Sequence, residues 1–227
     1  MKPMAELVET AVAEFPIQVS ADALAARNRE TADFARRQKN LRVAQLRAAW
    51  GAPERHVAAS LDKNAAGGSP AWQEKLAALA LRLANNPGSM LGFVGNRGTG
   101  KTQMAVELMR QATAAERSAL FTSAIGFFLK IKASFAKDAR QTELEVLQEF
   151  FRPHLLVIDE IGKRGDSAWE DNLLFELLNR RYNAMKDTVI ISNMPKGEFE
   201  DYIKDSLTSR INETGGLVEF NWSSFRQ

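Results

Sequence analysis

The rhythm of apolar and polar positions changes near residue 70. From about Met4 to Trp50, Ala, Leu, Arg and Glu recur at helical spacing, with Pro16 and Gly51 as punctuation, which predicts a helical N-terminal arm. The run AAGGSP (Ala65–Pro70) is flexible in composition, so the main boundary is expected in or just before it. That gives a helical arm and linker over 1–65 and a larger domain over 66–227. Beyond the boundary, short apolar runs alternate with longer helical stretches. The runs are MLGFV (Met90–Val94), SALFT (Ser118–Thr122), LLVI (Leu155–Ile158), TVIIS (Thr188–Ser192) and GLVEF (Gly216–Phe220). Buried runs separated by helices predict an α/β fold with a central parallel sheet covered on both faces.

Composition removes several kinds of chemistry. The chain has 227 residues and no cysteine, which excludes disulfides, thiolate zinc sites and Cys nucleophiles, and only His56 and His154 offer imidazole. A net charge of +2 argues for neither nucleic acid nor membrane, so any basic surface must be local. One such stretch is Arg27–Arg47, where Arg27, Arg29, Arg36, Arg37, Lys39, Arg42 and Arg47 outnumber Glu30 and Asp33. A basic helix of this kind meets DNA or an acidic partner, or is simply a solvated face. The first fifteen residues carry Glu6, Glu9 and Glu14 and lack the basic start and apolar core of a secretory signal. The most apolar stretch, Leu76–Ala84, is broken by Arg82 and is too short to span a bilayer. A cytoplasmic protein with no membrane partner is expected.

Directly after the first apolar run stands Gly95-Asn96-Arg97-Gly98-Thr99-Gly100-Lys101-Thr102, which matches G-x-x-x-x-G-K-[ST] and precedes a helical stretch, Gln103–Ala115. The glycines let the backbone curl so that N–H groups face phosphate oxygens, and the helix adds its positive N-terminal end. Lys101 then reaches the β- and γ-phosphates of ATP, and Thr102 offers its hydroxyl to Mg²⁺. Leu155–Ile158 delivers Asp159 and Glu160 at a strand's C-terminal end, where ligands of open α/β sheets lie. Asp159 suits the Mg²⁺-organising acid. Glu160, beside the γ-phosphate, can take a proton from attacking water, which hydrolysis needs. Asn193, after the run Thr188–Ser192, either senses the γ-phosphate or is a turn residue before Pro195. One predicted strand, Ser118–Thr122, lies between the loop and the acid strand. That suits the additional-strand ATPases, in which the acid strand is not the loop strand's neighbour.

With GNRGTGKT, LLVIDE, IISN and TSRI in one order, the chain resembles the AAA+ ATPases. Within them it is similar to the bacterial replicative helicase loaders of the DnaC type, which are related to the IstB transposition proteins. GAPERHVAASLD (Gly51–Asp62), LLNRRYN (Leu177–Asn183) and FNWSSFR (Phe220–Arg226) agree with this resemblance, which covers about Gly51–Arg226. It implies ATP and Mg²⁺ held by Gly95–Thr102 and Asp159, with Glu160 as base and Asn193 as γ-phosphate sensor. It also makes Arg210 a finger acting on ATP in a neighbouring subunit, and Arg226 a second sensing arginine. The alternative for Arg210 is a surface salt bridge to Asp205 or Glu213. Arg180 and Arg181 line the same interface or a solvated helix face.

The implied partners are the replicative helicase, gripped by the arm, single-stranded DNA, and further copies of the chain. Phe127–Lys137 interleaves aromatics and lysines: Phe128, Ile131 and Phe135 share one helical face, Lys130 and Lys137 another. The apolar face reads as core and the lysine face as a candidate DNA track. The sequence ends just after the last predicted strand, so the usual C-terminal helical lid is expected to be lacking. The implied function is an ATP-hydrolysing replication protein that loads a helicase. A transposition helper is the near alternative, and a small-molecule kinase or a protein that holds ATP without turnover the distant ones.

Overall fold

In a computed structural model of the chain, residues 20–59, 68–162 and 168–225 are described. The elements are α1 (Ala21–Ala48), α2 (Glu54–Ala58), α3 (Pro70–Asn85), β1 (Met90–Gly95), α4 (Lys101–Ala114), β2 (Ala119–Ser123) and α5 (Ala124–Ala133). They continue with α6 (Glu143–Phe151), β3 (Leu155–Ile161), α7 (Ala168–Asn183), β4 (Asp187–Ser192), α8 (Lys196–Thr214) and β5 (Gly216–Phe220). Each expected apolar run became a strand, shifted at its ends by a few residues at most. All strand pairs are parallel and the order is β2-β3-β4-β1-β5. The acid strand β3 is therefore separated from the loop strand β1 by β4, as the additional-strand reading expected.

Alternation along the strands builds two cores. Leu155, Val157, Val189 and Ile191 pack with Trp72, Leu76, Met104 and Leu108 of α3 and α4. Leu156, Ile158 and Ile190 face the other way, against Phe127, Phe150, Leu177, Phe199 and Ile211 of α5 to α8. Local signals start the helices where side chains can cap them. Ser69 accepts from the Trp72 amide ahead of Pro70, Ser123 accepts from the Gly126 amide, and Thr142 and Glu145 form a capping box.

By contacts the chain divides into Met1–Arg42 and Val43–Gln227, earlier than the boundary expected at 65. Trp50 is the reason. Its side chain is 1% exposed, its indole donates to Thr113 Oγ1 at 3.0 Å, and its carbonyl accepts from the Phe121 amide at 2.6 Å. In the first unit, α1 has no buried residue, and Leu24, Phe34 and Leu41 are exposed. The first nineteen residues, Ala65 to Gly67, and Arg226 lie outside the described residues, and so do the expectations placed on them. Among the described residues no helix is long and apolar enough to cross a membrane.

Candidate nucleotide site

Three strand ends meet at one edge of the sheet: β1 closes on Gly95, β3 delivers Asp159 and Glu160, and β4 leads to Asn193. Parallel strands put all three C-terminal ends together, and β4 sets Asn193 between loop and acids. A cavity of about 560 Å³ opens there. It is lined by Arg97, Gly98, Thr99, Gly100, Lys101, Thr102, Asp159, Glu160 and Asn193.

The loop's curl comes from glycines with positive φ, 119° at Gly95, 81° at Gly98 and 83° at Gly100, the last preceding α4 as its cap. Lys101 is buried, and its ammonium donates to the Gly95 and Asn96 carbonyls at 2.7 and 2.6 Å. Asn96 takes part through that carbonyl, which also accepts from Thr99 Oγ1 at 2.8 Å. Thr102 Oγ1 donates to Asp159 Oδ2 at 2.8 Å. Two hard oxygens so close fit the donor chemistry that Mg²⁺ would need from the protein. Among the described residues no group of three or more His, Asp or Glu holds a metal unaided. Burial pushes the Asp159 carboxyl above its ordinary range, opposed by bonds from the Thr102 hydroxyl and the Glu160 amide.

The acid strand is not regular. Ile158 pairs with Ile190 and Ile161 with Ser192, so Asp159 and Glu160 together oppose Ile191 in a bulge. Glu160 has φ 59°, and its amide donates to Asp159 Oδ1 at 2.7 Å. The bulge places both carboxyl residues on the wall of one cavity, where a regular strand would send them to opposite faces. Ser192 Oγ donates to the Ile161 carbonyl at 3.0 Å, and the Gly95 amide to the Met194 carbonyl at 3.0 Å, tying the three strand ends together.

The cavity also takes in Pro53, Arg55, His56, Gln103, Phe121, Ser123 and Phe225, which the sequence alone did not single out. His56 Nδ1 lies 3.0 Å from Gln103 Oε1, clamping α2 against the helix that follows the loop. For Pro53, Arg55, His56 and Phe225 the available signal was that the segments Gly51–Asp62 and Phe220–Arg226 agree with the family pattern; Gln103, Phe121 and Ser123 carried none.

The remaining candidates among the described residues lie away from this cavity. Arg210 does not line it; the role that the resemblance implies for this arginine is on the nucleotide of a neighbouring subunit. Its guanidinium lies 5.7 Å from the Phe175 ring and 5.3 Å from the Tyr182 ring, and its buried Nη1 has no hydrogen-bond partner among the described residues. Glu213 accepts from Tyr182 instead of pairing with it. Arg181 is neither an interface nor a solvated residue. It is 1% exposed and donates to the carbonyls of Phe150, Phe151, Pro153, His154 and Asp187 and to Thr188 Oγ1. Arg180 pairs with Glu176 on the helix surface. In the aromatic-lysine stretch Phe128 and Ile131 are core, but α5 ends at Ala133 and leaves Phe135 55% exposed. Lys130 pairs with Glu149, and Lys132 with Glu170.

A family model described as IstB-like ATP binding protein matches residues 5–226. The chain belongs to this family. Among curated relatives, the replicative helicase loader DnaC of Escherichia coli (strain K12) is 27% identical over 135 residues, 59% of this chain and 55% of that protein. DnaC of Buchnera aphidicola subsp. Acyrthosiphon pisum is 26% identical over 60% of this chain and 55% of its own. The chain thus spans about half the length of the curated relatives it matches. The crystal structure of the DnaC helicase loader shares the fold with a TM-score of 0.59 at 22% identity, over 74% of this family member and 99% of that chain. The sheet order and these likenesses make the fold a P-loop AAA+ domain.

Proposed function

We propose that this protein is an ATP-dependent DNA replication protein that binds single-stranded DNA and loads a replicative helicase, with ATP hydrolysis at subunit interfaces as its switch. The observation that carries this reading is the similarity to DnaC, whose name is replicative helicase loader. In the proposed mechanism the amides of Gly95–Thr102 and the Lys101 ammonium hold the triphosphate. Thr102 and Asp159 would hold Mg²⁺, which would supply charge neutralisation to the phosphates. Glu160 takes the proton of the attacking water, and Asn193 hydrogen-bonds the γ-phosphate. Arg210 acts on the nucleotide of a neighbouring copy, and Arg226 is a second sensor. Loss of the γ-phosphate weakens the contact between copies and times release of the helicase. The arm within residues 1–65 grips the helicase, in the cytoplasm.

The family match over 5–226 favours one second reading, a transposition helper that uses the same nucleotide site on DNA for a transposase. The test is phosphate release by the full chain with and without single-stranded DNA, across protein concentration, beside Arg210→Ala. Turnover should rise with concentration and with DNA, and fall about 10³-fold or more in the variant if the finger acts in trans. Turnover linear in enzyme, indifferent to DNA and unchanged in Arg210→Ala would refute the assembly. Capture of a replicative helicase by the full chain and not by an arm-deleted one separates loader from transposition helper. Phosphate release to water without an added acceptor disposes of the kinase.

A further inference from the structure

The segment after β5 returns to the phosphate loop. Gly95 and Phe220 are register partners in parallel strands, so loop and segment leave the sheet side by side. The segment then stacks outward: Phe93 to Phe220 at 5.2 Å, Phe220 to Trp222 at 5.1 Å, Trp222 to Phe225 at 6.4 Å, and the Phe225 side reaches the cavity wall. Lys75 fastens it from α3, donating to the Glu219 carbonyl at 2.8 Å with its ammonium 5.2 Å from the Trp222 ring centre.

Three consecutive loop carbonyls accept bonds from outside the loop. The Phe225 amide donates to Gly98 at 2.8 Å, the Trp222 indole to Thr99 at 2.9 Å, and the Trp72 indole to Gly100 at 3.3 Å. In a trans peptide the C=O of one residue and the N–H of the next point in opposite directions. Holding these carbonyls toward the aromatic side therefore turns the amides of Thr99, Gly100 and Lys101 the other way, as a phosphate cradle requires. Hydrogen bonding at a carbonyl also polarises its peptide and strengthens the opposite N–H as a donor.

We propose that Trp222, with Trp72 and the Phe225 amide, is a positioning residue that presets the phosphate loop for its ligand, and that phosphate binding in return tightens the Trp222–Phe225 segment. The coupling is reciprocal by linkage. It rests on the nucleotide reading of the cavity and adds residues that no part of the loop motif contains.

The test uses the full chain, with ATP, ADP and inorganic tripolyphosphate displacing a fluorescent nucleotide. Trp222→Phe keeps an aromatic ring against Phe220 and Phe225 and removes the donor together with part of the indole's bulk. It should weaken all three ligands by roughly three- to tenfold, the range of one net hydrogen bond, while the ligand-free melting temperature stays close to wild type. In wild type, saturating ADP should slow hydrogen exchange at the Phe225 amide, a readout that a merely structural role would not move. Equal affinities in the folded variant, or Phe225 exchange indifferent to ADP, would overturn the proposal. Should the variant fail to fold, the wild-type exchange decides. If wild type binds none of the three ligands, the nucleotide reading falls and takes this one with it.

Discussion

Glu160 is asked to do two things at once: to line the reaction cavity and to occupy a backbone conformation that L residues avoid. Its φ of 59° lies in the left-handed region, which costs a non-glycine residue roughly 1–2 kcal/mol. Two substitutions separate the roles. Glu160→Gln keeps the shape and the backbone cost but cannot accept a proton, so turnover should fall about 10²- to 10⁴-fold while ATP binding persists. Glu160→Gly loses turnover equally but relieves the backbone, offset by roughly 0.5–1 kcal/mol of extra unfolded-chain entropy. The net expectation is a nucleotide-free protein more stable than Glu160→Gln by up to about 1.5 kcal/mol. Urea unfolding of both variants measures this, with phosphate release and ATP binding on the same preparations. Comparing the variants with each other matters, because both lack the carboxylate and whatever it contacts. Undiminished phosphate release in Glu160→Gln would end the general-base assignment. A Glu160→Gly protein less stable than Glu160→Gln would show that the bulge stores no strain at this residue.

The Asp159 carboxyl, raised above 3.8 chiefly by burial, holds its proton to higher pH folded than unfolded. Its contribution to stability is therefore full below 3.8 and is lost as pH rises through the raised folded value. Asp159→Asn should gain stability relative to wild type across that window; parallel urea midpoints from about pH 3.5 to 7 check this, and a constant difference would refute it. Arg181→Ala removes the donor from five backbone carbonyls, those of Phe150, Pro153 and Asp187 in buried bonds, and should cost about 3–5 kcal/mol in denaturant unfolding. A loss below about 1 kcal/mol would mean that water replaces the guanidinium.

Alternation of apolar runs with helical stretches was enough for five parallel strands, because a strand buried on both faces leaves a continuous apolar signature. The phosphate loop was legible for a related reason. Its glycines, Lys101 and Thr102 lie within one run of eight residues, so the motif is visible without knowledge of any distant partner. Asp159 and Glu160 were legible as a pair at a strand end, but not the bulge that brings both to one wall, since it depends on the register against β4. Arg181 was misplaced because a buried arginine and an exposed one look alike on a polar helix face. Only its bonds to the carbonyls around Phe150, about thirty residues away, and to that of Asp187 tell them apart. The arm boundary moved for the same kind of reason. AAGGSP looks like a hinge, yet Trp50, well ahead of it, is buried against Thr113 and Phe121.

What is local could be read from the order of residues: the period of each element, the phosphate-loop motif and the two acids near the end of β3. What depends on distant partners came from the packing of the sheet. It paired Thr102 with Asp159, set Asn193 between loop and acids through the insertion of β4, and brought His56 and Phe225 to the cavity. Contacts between residues far apart in the chain arise from sheet order and register, which carry no mark at the individual positions.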